Sequence, residues 1–355
     1  MLGLGAVKTS NRASVRAAAA AALSAVAVGA AACSSPLDQA DDLAVSMGSA
    51  TPAESPASAD PAGEVHPFES VRDLDSTGDL LGVRTDSALI VGTLDEVLAG
   101  SAASYALDGS CGDASANAGN FAVACGGTIR LFDRSGEQSF ATEEPATAAT
   151  VTSSGEVVAG SKDARTVWVY NDGELERSLP VARETDQIQA VPVDGQPDSV
   201  VRTNSFDTTI QDLDWRGGKQ GGTLRAGLGV GKIAGGDDGL VLAADATGSQ
   251  ILVYTSDDII RLHQMAPVED SPWDVAWDSR DRLAWITSTA TNTATGYDIS
   301  RGVPLERGRL RTVADAQSIA SLADGTLVIA SATGGGLQII RASDKHLHEL
   351  PEETK

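Results

Sequence analysis

Histidine is scarce in this chain: four in 355 residues, at positions 66, 263, 346 and 348. None falls where an enclosed site is expected, which argues against a histidine-ligated catalytic metal and against a Ser-His-Asp triad. His346 and His348 are expected to share one strand face, at most a weak surface metal contact. A Cys-x-x-Cys pair, a Gly-rich phosphate loop and a dinucleotide fingerprint are all missing, so dithiol redox chemistry and nucleotide binding have no motif to rest on. No apolar run is long enough to span a bilayer as a helix. Basic residues are outnumbered, 26 Lys and Arg against 49 Asp and Glu, for a formal charge of −23. Nucleic acid is excluded as a partner on that count, because its binders need a basic face.

Three of the few cations open the chain. Lys8, Arg12 and Arg16 precede an almost unbroken run of small apolar residues at 17–32, and Cys33 follows. That order is the signature of a secretory signal peptide. No twin-arginine pair is present, so the general secretion route is expected. Ala30-Ala31-Ala32-Cys33 resembles a bacterial lipobox, with Ala30 where Leu is usual. The reading is a lipoprotein leader at 1–32, a diacylglyceryl group on Cys33, and residence on the outer face of the cytoplasmic membrane. Two acyl chains are what stable anchoring takes, each buried CH₂ contributing roughly 0.8 kcal/mol. With Cys33 lipidated, Cys111 and Cys125 remain as one pair in an oxidising compartment. A disulfide there would add roughly 3 kcal/mol on the chain-entropy account. Metal binding by two lone thiols is the weaker reading, since neither has a Cys or His at ligand spacing.

Residues 34–66 are dominated by Ser, Ala, Pro and acids with no apolar period, the composition of a disordered tether. Its random-coil reach would be about 30 Å. From 67 to 355 the text repeats. Ile319-Ala-Ser-Leu-Ala-Asp-Gly-Thr-Leu-Val-Ile-Ala330 and Ile233-Ala-Gly-Gly-Asp-Asp-Gly-Leu-Val-Leu-Ala243 follow one plan, and Val275-Ala-Trp-Asp-Ser-Arg-Asp-Arg-Leu-Ala-Trp-Ile286 is a third copy. Each is an apolar strand, a turn marked by Asp, Ser or Gly, and a second apolar strand. A third strand and a more polar fourth follow, the last of them expected at 347–350. Marked at the second-strand ends (Val91, Ala124, Ala159, Arg202, Ala243, Thr287, Ala330), the period is roughly 40 residues, with shorter first steps. An all-β, seven-bladed β-propeller of four-stranded antiparallel blades is predicted, because a twisted four-strand sheet buries both faces only by stacking radially. The ring closes either through 68–72 or through the C-terminal strand.

Asp73-x-Asp75-x-Thr77-Gly78 starts like a calcium loop, but Arg84 stands at the twelfth position and the segment reads as a polar turn. Calcium held by several loops at the propeller mouth is the one cofactor the chain leaves open. Asn204, Asp207, Asp245 and Asn292 sit in loops after second strands and are the candidate ligand contacts of one face. Trp273 and Trp277, at i, i+4 on a first strand, are core residues before they are a sugar-stacking platform. Trp273-Asp274 and Trp277-Asp278 echo the WD dipeptide without its Gly-His partner.

The hairpin plan, apolar-Ala-x-x-x-Asp-Gly-x-Leu-Val-x-Ala, resembles the NHL and YncE-like propeller repeats of bacteria. Together with the lipobox and the acidic tether, the chain is similar to actinobacterial propeller lipoproteins of the LppL kind. The resemblance implies a fold and an address, and no settled reaction. The expected function is a non-catalytic binding or scaffold module for an envelope protein or cell-wall component. The alternatives are a metal-dependent, lactonase-like enzyme with an axial site, for which no ligand set matches residue by residue, and a glycan-binding module using the two tryptophans.

Overall fold

Short alternating apolar runs separated by Gly- and Asp-rich turns pair into antiparallel sheets. The computed structural model of the protein describes residues 46–350. The expected leader and the expected lipidation site, Cys33, lie outside the described residues. Seven sheets follow one another along the chain. The first blade runs Val71–Thr77, Leu80–Thr85, Ala88–Gly92 and Ala103–Ala106. The second is Cys111–Asn117, Asn120–Asp133 and Gly136–Ala146. The third is Ala148–Val151, Val157–Gly160, Thr166–Asn171 and Glu174–Pro180, and the fourth Gln187–Val191, Ser199–Asn204, Thr209–Asp214 and Lys219–Arg225. Val230–Gly235, Leu240–Asp245, Gln250–Thr255 and Arg261–Pro267 make the fifth. Pro272–Asp278, Leu283–Ser288, Thr293–Asp298 and Leu305–Arg311 make the sixth. The seventh takes Ala316–Ser321, Leu327–Ser331 and Leu337–Ile340 from the end of the chain and Glu64–His66 from its beginning. This is the predicted seven-bladed propeller.

The core is not one mass. Seven apolar clusters lie one at each junction between neighbouring blades. Trp285 of the sixth blade, for example, is fully buried among Ile319, Leu327 and Ile329 of the seventh. Each such large side chain contributes on the order of 1.5–3 kcal/mol by leaving water, so every blade depends on both neighbours. The Cys111–Cys125 disulfide forms between residues directly opposite on the first two strands of the second blade. It pins the junction where Gly112 and Asp113 break the ladder.

Several expectations are corrected. Residues 46–66 are not a free tether. They lie against the propeller, and the last three form the outer strand of the seventh blade, paired with Leu337–Ile340. Ring closure therefore runs through the N-terminal side of the chain, just before 68–72, and the folded unit starts well before residue 67. The segment 347–350, expected as that outer strand, has no strand structure, so His346 and His348 share no strand face. Its place at the sheet edge is already filled. The second blade has three strands, one continuous run of 14 residues holding the second and third positions. Its N-terminal part pairs with Cys111–Asn117 and its C-terminal part with Gly136–Ala146. Val91 lies on the third strand of its blade, not the second, which accounts for the short first period. A helix, Leu94–Ala99, is inserted there before the fourth strand. Thr93 and Glu96 close a reciprocal cap at its start, Glu96 N donating to Thr93 Oγ1 and Thr93 N to the Glu96 carboxylate.

Candidate functional site at the propeller axis

The first strand of every blade faces the axis, and its inward positions line a channel with a cavity at each end, of about 260 Å³ and about 420 Å³. The end formed by the turns between first and second strands is called the lower mouth, the other the upper.

Asp73 and Asp75 line the upper cavity. The sequence reading as a polar turn fails, because both belong to the strand Val71–Thr77, where a spacing of two puts them on one face. Each carboxylate accepts a hydrogen bond from the next blade, Asp73 from Ala114 N and Asp75 from Ala116 N, both at 3.1 Å. Asp274 repeats the device in the sixth blade, accepting from Ile319 N of the seventh at 2.9 Å and from its own neighbour Val275 N at 2.7 Å. Gln187 does the same between the fourth and fifth blades, its Oε1 accepting from Ile233 N and its Nε2 donating to Gly231 O. Thr150 Oγ1 accepts from Ala190 N across the third and fourth. Inward polar side chains thus staple adjacent inner strands, which have no ladder hydrogen bonds to each other.

Lys232 of the fifth blade crosses the channel. Its ammonium donates to Asp73 Oδ1 at 2.5 Å, to Arg72 O at 3.2 Å and to Ser318 Oγ at 3.3 Å. The cation among the axial carboxylates is therefore the protein's own. Burial works against the Lys232 charge, but Asp73, Asp274 and Asp113 outweigh it and raise its pKa above the ordinary lysine value. Burial pushes Asp274 up to about 7; Lys232 opposes the rise and Asp73 adds to it. Asp75 is held well above the usual carboxylate range, first by burial and then by the charges of Asp73 and Asp274. Among the described residues, no group of three or more His, Cys, Asp or Glu side chains is arranged to hold a metal ion.

The lower mouth is tied in a different way. Asp198 reaches back across two blades, accepting from Asn117 Nδ2 at 2.7 Å and from Ser153 N at 2.7 Å. Trp277 donates its indole N–H to Asp237 Oδ2 of the fifth blade at 2.8 Å, and Arg282 lies 5.9 Å from its ring centroid. Trp277 is half-buried, as is Trp273. The two stand at opposite ends of one strand, roughly 13 Å apart at 3.3 Å per residue, and do not form a single platform.

The predicted face-loop residues are all on the upper side, and none lines an axial cavity. Asp245 Oδ1 accepts from Leu228 N, Gly229 N and Gly248 N, holding its own loops. Asn204 caps its turn by accepting from Asp207 N, and Asp207 pairs with Arg183. Asn292 donates to Pro56 O of the N-terminal segment. That segment is a strap over the sixth and seventh blades: Ser55 Oγ donates to Thr289 O, Ser55 N to Asp315 Oδ1, and Ser58 Oγ to Thr312 O. Sequence reasoning missed Asp73, Asp75, Lys232, Asp274 and Gln187 as an ensemble. The available signal was a polar residue at an inward position of a first strand, as at Lys232, between Val230 and Ala234, and at Asp274, between Pro272 and Ala276.

No family model and no curated protein sequence matches this chain. Solved structures do match in shape. A chain of the mitotic checkpoint complex aligns with a TM-score of 0.63 at 14% identity, over 91% of this chain and 99% of that one. The WD40 β-propeller domain of Doa1 aligns at 0.56 and 14%, over 79% and 96%. Hydrazine synthase of Kuenenia stuttgartiensis aligns at 0.55 and 11%, over 81% and 98%. The shared property is the propeller fold.

Proposed function

We propose that this protein is a lipid-anchored, extracytoplasmic propeller of the LppL-like kind that works by binding. It is tethered through a diacylglyceryl Cys33 on the outer face of the cytoplasmic membrane and presents its lower face to an envelope protein. The observation that carries the binding role is the occupancy of the axis. Asp73, Asp75 and Asp274 are spent on backbone N–H groups of neighbouring blades, and Lys232 is paired with Asp73. These groups hold the ring together, and the loops are what the ring offers to solvent. Of its two faces, the upper carries the strap over the sixth and seventh blades. The lower mouth, with Trp277, Asp237 and Asn117, is open. A neighbour in shape that belongs to a multiprotein complex supports a protein partner.

The test uses photo-crosslinking residues placed in cells at Ala118 and Ala323 on the lower face and at Thr333 on the upper. One recurrent adduct from both lower positions, lost when Trp277→Ala is added, is expected. Adducts from Thr333 alone, or turnover of a lactone panel by the purified chain, would overturn the reading.

A further inference from the structure

Three of the large apolar side chains that stay in water meet at one point of the upper rim. Phe206 is 74% exposed, Met47 52% and Leu228 39%. Phe206 stands in the turn between the second and third strands of the fourth blade, and Leu228 in the link to the fifth. Met47 comes from the strap. The backbone joins the three: Gly48 N donates to Leu228 O at 3.0 Å, and a Cβ on Gly48 would lie 4.0 Å from Phe206 O. Two arginines flank the patch. Arg183 donates to the Asp207 carboxylate and Arg225 to Asp207 O, so each guanidinium is held beside Phe206. Arg183 keeps 44% of its side chain in solvent.

We infer that this rim is a lipid-contact surface, with Phe206, Met47 and Leu228 entering the headgroup region and Arg183 and Arg225 meeting phosphate groups. The inference rests on the anchoring proposed above. Its argument is position. The strap brings residue 48 onto the rim, so the part of the chain left between Cys33 and the folded unit is not 33 residues but the twelve at 34–45. Twelve residues span at most about 40 Å fully extended. The described chain thus begins at the apolar patch, and an exposed aromatic beside arginines is the composition of an interfacial contact. Ile259, Leu262, Met265 and Val303, also exposed, stand on the fifth and sixth blades away from the strap's start.

Cys111 and Cys125 are joined, so Cys33 is the one free thiol and full-length chain can be coupled through it to a maleimide lipid in phosphatidylcholine vesicles. A fluorescent amino acid is placed at Phe206 and, in a second protein, at Gln196 on the lower face. Acyl-chain doxyl lipid should quench the label at 206 at least threefold more strongly than the label at 196. Equal quenching, or a label at 206 shielded only after a soluble protein is added, would overturn the lipid contact. Mass spectrometry of Cys33 from the exporting cell tests the anchor separately. Acylated Cys33 with equal quenching removes the surface and keeps the anchor; unmodified Cys33 with strong quenching does the reverse.

Discussion

Lys232 and Asp73 belong to blades on different sides of the ring, the fifth and the first, and their side chains meet at the axis with Nζ 2.5 Å from Oδ1. Most polar side chains on the first strands bridge neighbouring blades; Gln189 of the fourth blade likewise reaches past the third to Ser115 and Ala116 of the second. The Lys232–Asp73 pair ties strands that no backbone hydrogen bond joins, and Lys232 also reaches Ser318 of the seventh blade.

Replacing Lys232 by Met leaves Asp73 and Asp274 buried without their cation. A loss of about 3–5 kcal/mol is expected at pH 7.5. The loss should shrink at pH 5, where the acids take up protons. Urea unfolding at the two pH values checks it, and equal losses would show that charge pairing at the axis is not what the lysine supplies.

Asp274 links stability to pH. Its folded pKa, about 7, lies above the ordinary value of 3.8. The folded state therefore holds the proton more tightly than the unfolded one. The associated stability is complete below about pH 4 and is lost as pH rises through 7. Asp274→Asn should flatten the decline in Tm between pH 5 and pH 8. Parallel declines in both proteins would assign the pH dependence elsewhere.

Near the C-terminal end, Lys345 is buried against Asp278, with Asp281 at 2.9 Å and the Trp285 ring centroid 5.8 Å away. It latches the end of the chain onto the sixth blade. Lys345→Met strands a buried Asp278 and should cost about 3–5 kcal/mol. Calorimetry of the purified chain reads this directly, and a change under 1 kcal/mol would contradict the latch.

Ring closure is open to test at Gly63. Its φ is +69°, and a Cβ there would sit 2.2 Å from Ile339 O, at the entry to the closing strand Glu64–His66. Gly63→Ala should cost on the order of 1–3 kcal/mol and make the chain N-terminal to residue 64 markedly more sensitive to protease. Unchanged cleavage kinetics would mean that the closing strand tolerates the shift.

The propeller itself was legible because its cause is local. Val, Ile, Leu and Ala alternating across Asp- and Gly-marked turns at a period of roughly 40 residues specify hairpins, and a hairpin unit with two apolar faces has to be stacked. The pairing of Cys111 with Cys125 was legible for the same reason, both lying on one hairpin. Asp73 and Asp75 were misread because a short Asp-x-Asp run beside Gly78 has the composition of a turn. Only the position of Val71–Thr77 against the axis makes those acids inward-facing.

Alternation, turn chemistry and repeat spacing, all interactions over a few residues, determined the blades and their number. Tertiary structure decided what joins residues far apart in the chain: which segment closes the ring, where the strap lies, and that Lys232 answers Asp73. Composition made 46–66 look like a tether, since its Ser, Pro and Ala bury little surface of their own. It is held in place by carbonyls, amides and a free sheet edge supplied by blades about 180 to 275 residues away along the chain, which a pattern of neighbouring residues does not encode.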